Sequence, residues 1–294
     1  MTQRTLHPWV DGLGRWWVGC MLALVFCLPA QVGATGIAIV TDLQGKASLT
    51  YQGRTTDATI ASVIEAGTQL QLAANASMVV LYFEPGAEFA LRGPAQVTFR
   101  SNQPESTSGA AAQRRNPAAG PPIRIKPVGV GQGAFVMRSV STVARIRLLS
   151  ASGTRVLETQ PEFRWQEPQG ALRYQVEIAD DTGRLLHDAV VDGAALSLPA
   201  GLQLREGMSY SWAVSTRLPD GRKYSSTGEF SVANADLRSQ AAALRLAVDA
   251  SVSSRVAYAL WLDQAELRDE ARKLWRVLAA ERPEDEQLKA LAAR

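Results

Sequence analysis

Cysteine and histidine are almost missing from this chain of 294 residues, which holds two of each: Cys20, Cys27, His7 and His187. Three of those four fall within the first 34 residues, so a chain cut after Ala34 keeps no thiol and one imidazole. That excludes disulfide staples, zinc sites built on cysteine or several histidines, thiol nucleophiles and redox pairs. A long apolar run is missing too, because Trp16 to Leu28 gives only about 13 apolar residues against the roughly 20 that span a bilayer. Neither charge dominates. Lysine and arginine number 31 against 28 acidic residues, and without Arg4, Arg15 and Asp11 the balance is 29 against 27. Nucleic-acid binding calls for a concentrated basic face, which this balance does not supply. No Gly-x-Ser-x-Gly elbow, His-Glu-x-x-His pair or Gly-Lys-Ser/Thr phosphate loop occurs, and His187 has no nucleophile beside it. No enzyme activity, metal or cofactor is expected.

What is present begins with an export signal. Arg4 and Arg15 precede the short apolar run, and Val32-Gly33-Ala34 supplies the small residues of a cleavage site. The expectation is a signal peptide over residues 1–34 and a periplasmic or secreted mature chain starting near Thr35. The rival reading is an uncleaved membrane anchor. A lipid anchor fits worse, because Phe26 precedes Cys27 and Cys20 lacks an apolar stretch before it.

Residues 35–140 show short period-two segments punctuated by turn signals, the pattern of strands with one buried face. Met78, Val80 and Tyr82 alternate with Val79, Leu81 and Phe83, and breaks fall at Gln52-Gly53, Asn75-Ala76, Pro85-Gly86 and Gly93-Pro94. The segments Asp42 to Gly45, Gly67-Thr68-Gln69-Leu70-Gln71-Leu72 and Leu81-Tyr82-Phe83-Glu84-Pro85-Gly86, leading to Leu91-Arg92-Gly93-Pro94, resemble the periplasmic domain of the ferric-citrate regulator (FecR) family. The resemblance implies a β-rich module that works by contact with other envelope proteins. In the namesake regulator a cytoplasmic segment restrains a sigma factor, but only about 15 residues precede the apolar run here, too few to fold into a binding domain.

Residues 101–122 are rich in Ser, Gly, Ala, Gln and Pro and read as a mobile insertion between strands, with the β unit resuming at Ile123-Arg124-Ile125 and Ala134-Phe135-Val136. Gly129-Val130-Gly131-Gln132-Gly133 mimics a dinucleotide loop, yet Phe135 to Val140 reads as strand where that loop needs a helix.

Residues 144–233 read as a second β domain. Phe163 and Trp165 alternate onto one face, as do Tyr174, Val176 and Ile178; Asp181-Thr182-Gly183 closes a hairpin. Leu204 through Gly207 to Tyr210, followed by Trp212 and Val214, is similar to the tyrosine corner of immunoglobulin and fibronectin type III sandwiches. The aromatic set Phe163, Trp165, Tyr174 and Trp212 is assigned to the core rather than to sugar stacking, because it shares strand positions with aliphatic residues. His187 is placed at a strand end.

In residues 235–294 the period becomes helical. Leu237, Ala241, Leu244 and Val248 form one stripe; Ser251 caps a second helix carrying Val252, Val256, Ala259 and Leu260; a third runs from Leu267 to Glu281 with Ala271, Leu274, Trp275 and Leu278 inward; Pro283 opens a short fourth. The order Ala259, Leu262, Ala271, Trp275, Leu278, Pro283 is similar to one tetratricopeptide repeat, with Glu266 where that family prefers glycine. A lone repeat must lean on the sandwich, on the terminal helix or on another molecule. Arg268, Arg272 and Arg276 fall at i, i+4 and i+8 and form a candidate partner-binding stripe, flanked by an Asp269–Lys273 pair.

The chain is therefore expected to be mostly β: a FecR-like β domain, an immunoglobulin-like sandwich and a C-terminal helical hairpin. The function expected is that of an exported adaptor or sensory subunit whose partner is another envelope protein. The alternatives are a module binding peptidoglycan or polysaccharide, and a membrane-anchored signalling regulator.

Overall fold

The computed structural model describes residues 36–115, 123–126, 144–247 and 249–294. The export signal, the Gly129–Gly133 run, the strand expected at Ala134–Val136 and Val248 lie outside the described residues. Among those described, no helix is long and apolar enough to cross a membrane.

Ten short strands build the first β unit: β1 (Gly36–Gln44), β2 (Ala47–Tyr51), β3 (Arg54–Asp57), β4 (Val63–Glu65), β5 (Gln69–Leu72), β6 (Ser77–Tyr82), β7 (Glu88–Arg92), β8 (Ala95–Phe99), β9 (Pro104–Gly109) and β10 (Gln113–Arg115). They form two five-stranded antiparallel sheets, ordered β10-β7-β6-β1-β4 and β3-β2-β5-β8-β9. Between the sheets lie Met78, Val80 and Tyr82 from β6 with Leu49, Leu70, Leu72, Leu91, Val97 and Phe99. The expectation of one buried face fails for the first sheet: Leu81 and Phe83, pointing the other way, are also buried, against Ile39, Ile125 and a helix. Strands with apolar residues on both faces belong in the middle of a three-layer stack.

The insertion reading of residues 101–122 needs correction over its first two thirds, because Pro104–Gly109 pairs with β8 and Gln113–Arg115 with β7. The composition is poor in apolar residues, but an edge strand needs few anchors once its neighbour supplies backbone partners. Pro104 is buried, and the Thr107 hydroxyl donates to the Gln96 carbonyl at 3.1 Å.

The second unit holds β11 (Ala144–Arg145), β12 (Thr154–Val156), β13 (Glu162–Arg164), β14 (Tyr174–Asp180), β15 (Leu185–Val191), β16 (Ala195–Ser197), β17 (Ser209–Arg217) and β18 (Lys223–Val232). The main sheet runs β11-β18-β17-β14-β15, with β12 parallel to β18, and it faces the β13–β16 pair. This is an immunoglobulin-like sandwich. Phe163, Trp165, Tyr174, Tyr210 and Trp212 all lie in its core, with Phe163 and Trp212 ring centroids 5.1 Å apart and those of Trp165 and Tyr174 5.2 Å apart. The tyrosine corner forms as its spacing predicts: the Tyr210 hydroxyl accepts from the Arg205 amide at 2.7 Å, and Gly207 takes φ +76°. Trp212 donates its indole N–H to the Ala151 carbonyl at 2.7 Å, lying across Gly228, its register partner in β18. A Cβ at Gly228 would meet the indole nitrogen at 2.8 Å and Leu148 at 2.9 Å.

Four helices follow: α1 (Ala235–Ala243), α2 (Val252–Gln264), α3 (Arg268–Glu281) and α4 (Glu286–Ala293). Asn234, Ser251 and Asp285 cap α1, α2 and α4 through their side-chain oxygens. The last helix thus starts at an aspartate cap rather than at Pro283. Ala259, Leu262, Ala271, Trp275, Leu278, Leu288 and Leu291 share one core, and Trp275 donates to the Asp263 carboxylate at 2.9 Å. Burial raises the Asp263 pKa, an effect the indole hydrogen bond opposes. Glu266, at the turn between α2 and α3, holds φ +63°, the left-handed conformation that glycine adopts freely.

The helical hairpin leans on both β units. Its turn is pinned to β12, where the Glu266 carbonyl accepts from the Arg155 amide at 2.8 Å and from the Thr154 hydroxyl at 3.1 Å. Asp269 accepts from the Ala151 amide at 2.7 Å. On the other side α2 covers the outer face of the first sheet, placing Ser253 2.8 Å from the Thr41 hydroxyl and 3.1 Å from Glu88. Arg282 closes the clasp on Asp42 of β1 at 2.7 Å.

Candidate interaction groove

A helix such as α2, apolar around much of its circumference, covers a sheet with one face and leaves another for neighbouring helices, and between α1, α2 and α3 that second face is not fully covered. The result is a groove of about 740 Å³ bordered by Leu157 and Glu158 just after β12. Its walls include Ala241, Tyr258, Leu262 and Leu274, and its lip is Val277, a large apolar side chain left 48% exposed. Tyr258 joins two of the walls: its ring stacks on Trp261 with 9° between planes, and its hydroxyl donates to the Ala241 carbonyl of α1 at 3.3 Å. Burial raises the Tyr258 hydroxyl above its ordinary pKa, and nearby Glu270 adds to the effect.

Charged groups ring the apolar floor. Arg238 pairs with Glu206, Lys273 with Glu270 at 2.6 Å, and Arg255 holds Glu281 through two bonds of 2.6 Å. Those hydrogen bonds lower the Glu281 carboxyl below its usual range. Arg245 and Glu158, one cation and one anion, have no ion-pair partner among the described residues. An apolar trough with a mixed charged rim binds by burying side chains and orienting their polar ends. Among the described residues no cluster of His, Cys, Asp or Glu has the make-up of a metal site.

The three arginines of the stripe have different surroundings. Arg268 is spent on the Gly153 carbonyl at 2.5 Å, and Arg272 on Asp269 at 2.7 Å and the Arg294 carbonyl at 2.6 Å. Arg268 and Arg276 are both exposed without an ion-pair partner among the described residues, and Arg276 has no side-chain hydrogen bond among them either. The expected Asp269–Lys273 pair is replaced by Arg272–Asp269 and Lys273–Glu270, both at i,i+3. Ala271 and Trp275 are buried, and Leu274 is partly buried against the same core while also bordering the groove. His187 lies inside β15 opposite Ile178 rather than at a strand end. The sequence carried one signal for the groove: a third helix with apolar residues on more of its circumference than a single contact face requires.

No protein-family model matches the chain, and no curated protein matches it. Solved structures are similar over parts of it. CopC from Methylosinus trichosporium OB3b shares 20% identity over 31% of this chain and 95% of its own, with a TM-score of 0.25. The fibronectin type III domain of human fibronectin type III domain containing protein 3 shares 17% over 34% of this chain and 94% of its own, at 0.22. A two-domain fibronectin type III segment of chicken tenascin shares 13% over 67% of this chain and 93% of its own, at 0.23. Scores this low add nothing to the assignment of the sandwich, which rests on strand order, core and tyrosine corner.

Proposed function

We propose that this chain is an exported, non-enzymatic adaptor that binds a segment of another envelope protein in the groove between α1, α2 and α3. The first β unit then serves as a FecR-like contact module, and the α2–α3 hairpin as a tetratricopeptide-like one. The observation that carries the reading is the apolar trough with Val277 exposed at its lip and, beside it, charges of both signs that have no ion-pair partner among the described residues. The export signal adds the compartment.

Crosslinking in intact cells with recovery of the adducts tests this. Val277→Asp puts a charge on the lip of the trough without entering a core, so the fold should persist while the adduct is lost. An adduct equally abundant with the variant removes the groove from the account, and recovery of the lone chain removes the partner. The glycan-binding alternative predicts sedimentation with purified sacculi that survives moderate salt. A mature N-terminus at Met1 or Thr2 instead of near Thr35 supports the anchored alternative.

A further inference from the structure

The sheet edges of this protein are unequal. Of the strands that end a sheet, β3 is four exposed residues with Arg54 and Asp57, β4, β13 and β16 have three residues each, β9 begins Pro104-Glu105, β10 carries Arg114 and Arg115, and β11 has two residues. Short length, proline and charge are the usual means of blocking a further strand. The seven-residue β15, Leu-Leu-His-Asp-Ala-Val-Val, is the exception, with no lysine, arginine or proline and no partner beyond β14 among the described residues.

Its faces are also distinct. Leu186, Ala189 and Val191 pack on the sandwich core, while a register shift at Ile178/Ala179 brings Leu185 onto the outer side with Asp188 and Val190. Leu185 is 54% and Val190 61% exposed. Between them Asp188 stands directly opposite Glu177 and receives a hydrogen bond from Gln175. Neither carboxylate has a cationic partner among the described residues. The outer face thus reads apolar, acidic, apolar beside a strand edge that no other strand pairs among the described residues.

We propose that the free edge of β15 is a strand-addition site for an extended segment of a different polypeptide, with a cation facing Asp188 and an apolar residue two positions along facing Val190. Main-chain bonds supply attachment in such a mode and alternate side chains supply selection. A second copy of this chain fits worse. Two-fold pairing about Asp188 sets that carboxylate against itself, pairing about Ala189 sets Asp188 against Val190, and pairing about Val190 sets Asp188 against Asp192.

The probes are two short synthetic peptides of alternating valine and threonine, one with a central lysine and the other with glutamate in its place, titrated into the full chain. The lysine peptide should bind about fivefold more tightly, given cross-strand charge pairs of this kind. It should slow amide hydrogen exchange at Leu185 to Val191, and Asp188→Lys should reverse the preference. Val190→Lys should weaken both peptides while unfolding coincides with wild type. Val277→Asp should leave both unaffected, which separates this site from the groove. Failure of both peptides to bind, protection elsewhere in the chain, an unchanged preference in Asp188→Lys, or self-association abolished by Val190→Lys would each overturn the proposal.

Discussion

Gly228 shows how a missing side chain fixes a core. Because no Cβ stands there, Trp212 crosses β18 and reaches the Ala151 carbonyl, which sits on a residue itself in left-handed conformation at φ +49°. Gly228→Val forces the indole or Leu148 to move, and overpacking of this sort costs about 1–3 kcal/mol. Urea unfolding followed by tryptophan fluorescence should show that loss, and an unchanged midpoint would mean the sheet absorbs the methyl groups. Tyr210 was legible from sequence because its whole mechanism, Leu204 to Tyr210, lies within seven residues. Gly228 was not, since the atoms that require it come from Leu148, Ser152 and Trp212.

Between elements, the contact of α2 with the first sheet includes a carboxyl group away from water. Glu88 is 6% exposed, and desolvation raises its pKa against the opposing effects of the Ser253 hydrogen bond and Arg115. A raised folded-state value means the native state holds its proton more firmly than the unfolded chain. This contribution is present below the ordinary glutamate range and is lost as pH climbs through the raised value. Glu88→Gln still accepts from Ser253, so the variant should have a higher thermal midpoint than wild type at pH 7 and a flatter midpoint-versus-pH curve above the ordinary glutamate range. Equal midpoints across that window would place Glu88 in contact with water.

The elements themselves were largely readable. Helical period located α2 and α3, and alternation with turn residues located most strands, because both are local properties. β9 and β10 escaped notice because polar edge strands carry no alternation and are defined by their neighbours β8 and β7. For a related reason spacing places Arg268, Arg272 and Arg276 on one helix face but says nothing of the Gly153 and Arg294 carbonyls that accept from the first two. The groove was signalled only by the apolar breadth of α3 and the β15 edge not at all, as one draws on Leu157, Ala241, Tyr258 and Leu274 from separate elements and the other depends on which strand ends the sheet.

For the whole molecule, the helical hairpin is the joint through which two β units become one packed body. Trp275 stands at its centre, 1% exposed. Trp275→Ala should cost about 3–5 kcal/mol, as truncation of a buried aromatic does. Beyond the loss of stability, the loss of the joint should uncouple the β units, so that far-ultraviolet circular dichroism and fluorescence transitions that coincide in wild type separate in the variant. A single coincident transition at lower denaturant would show that the β units are joined by other means.

The Asp42–Arg282 ion pair links residues 240 positions apart. During synthesis the greasy outer side of the opening sheet, with Ile39, Leu81 and Phe83, gains Ile125 first and the cover of α2 only after residue 252 has been made. A nascent or truncated product lacking the helices would carry a sticky plate that invites aggregation. Completion of the late helices is thus expected to set when the earliest strands become fully shielded from water.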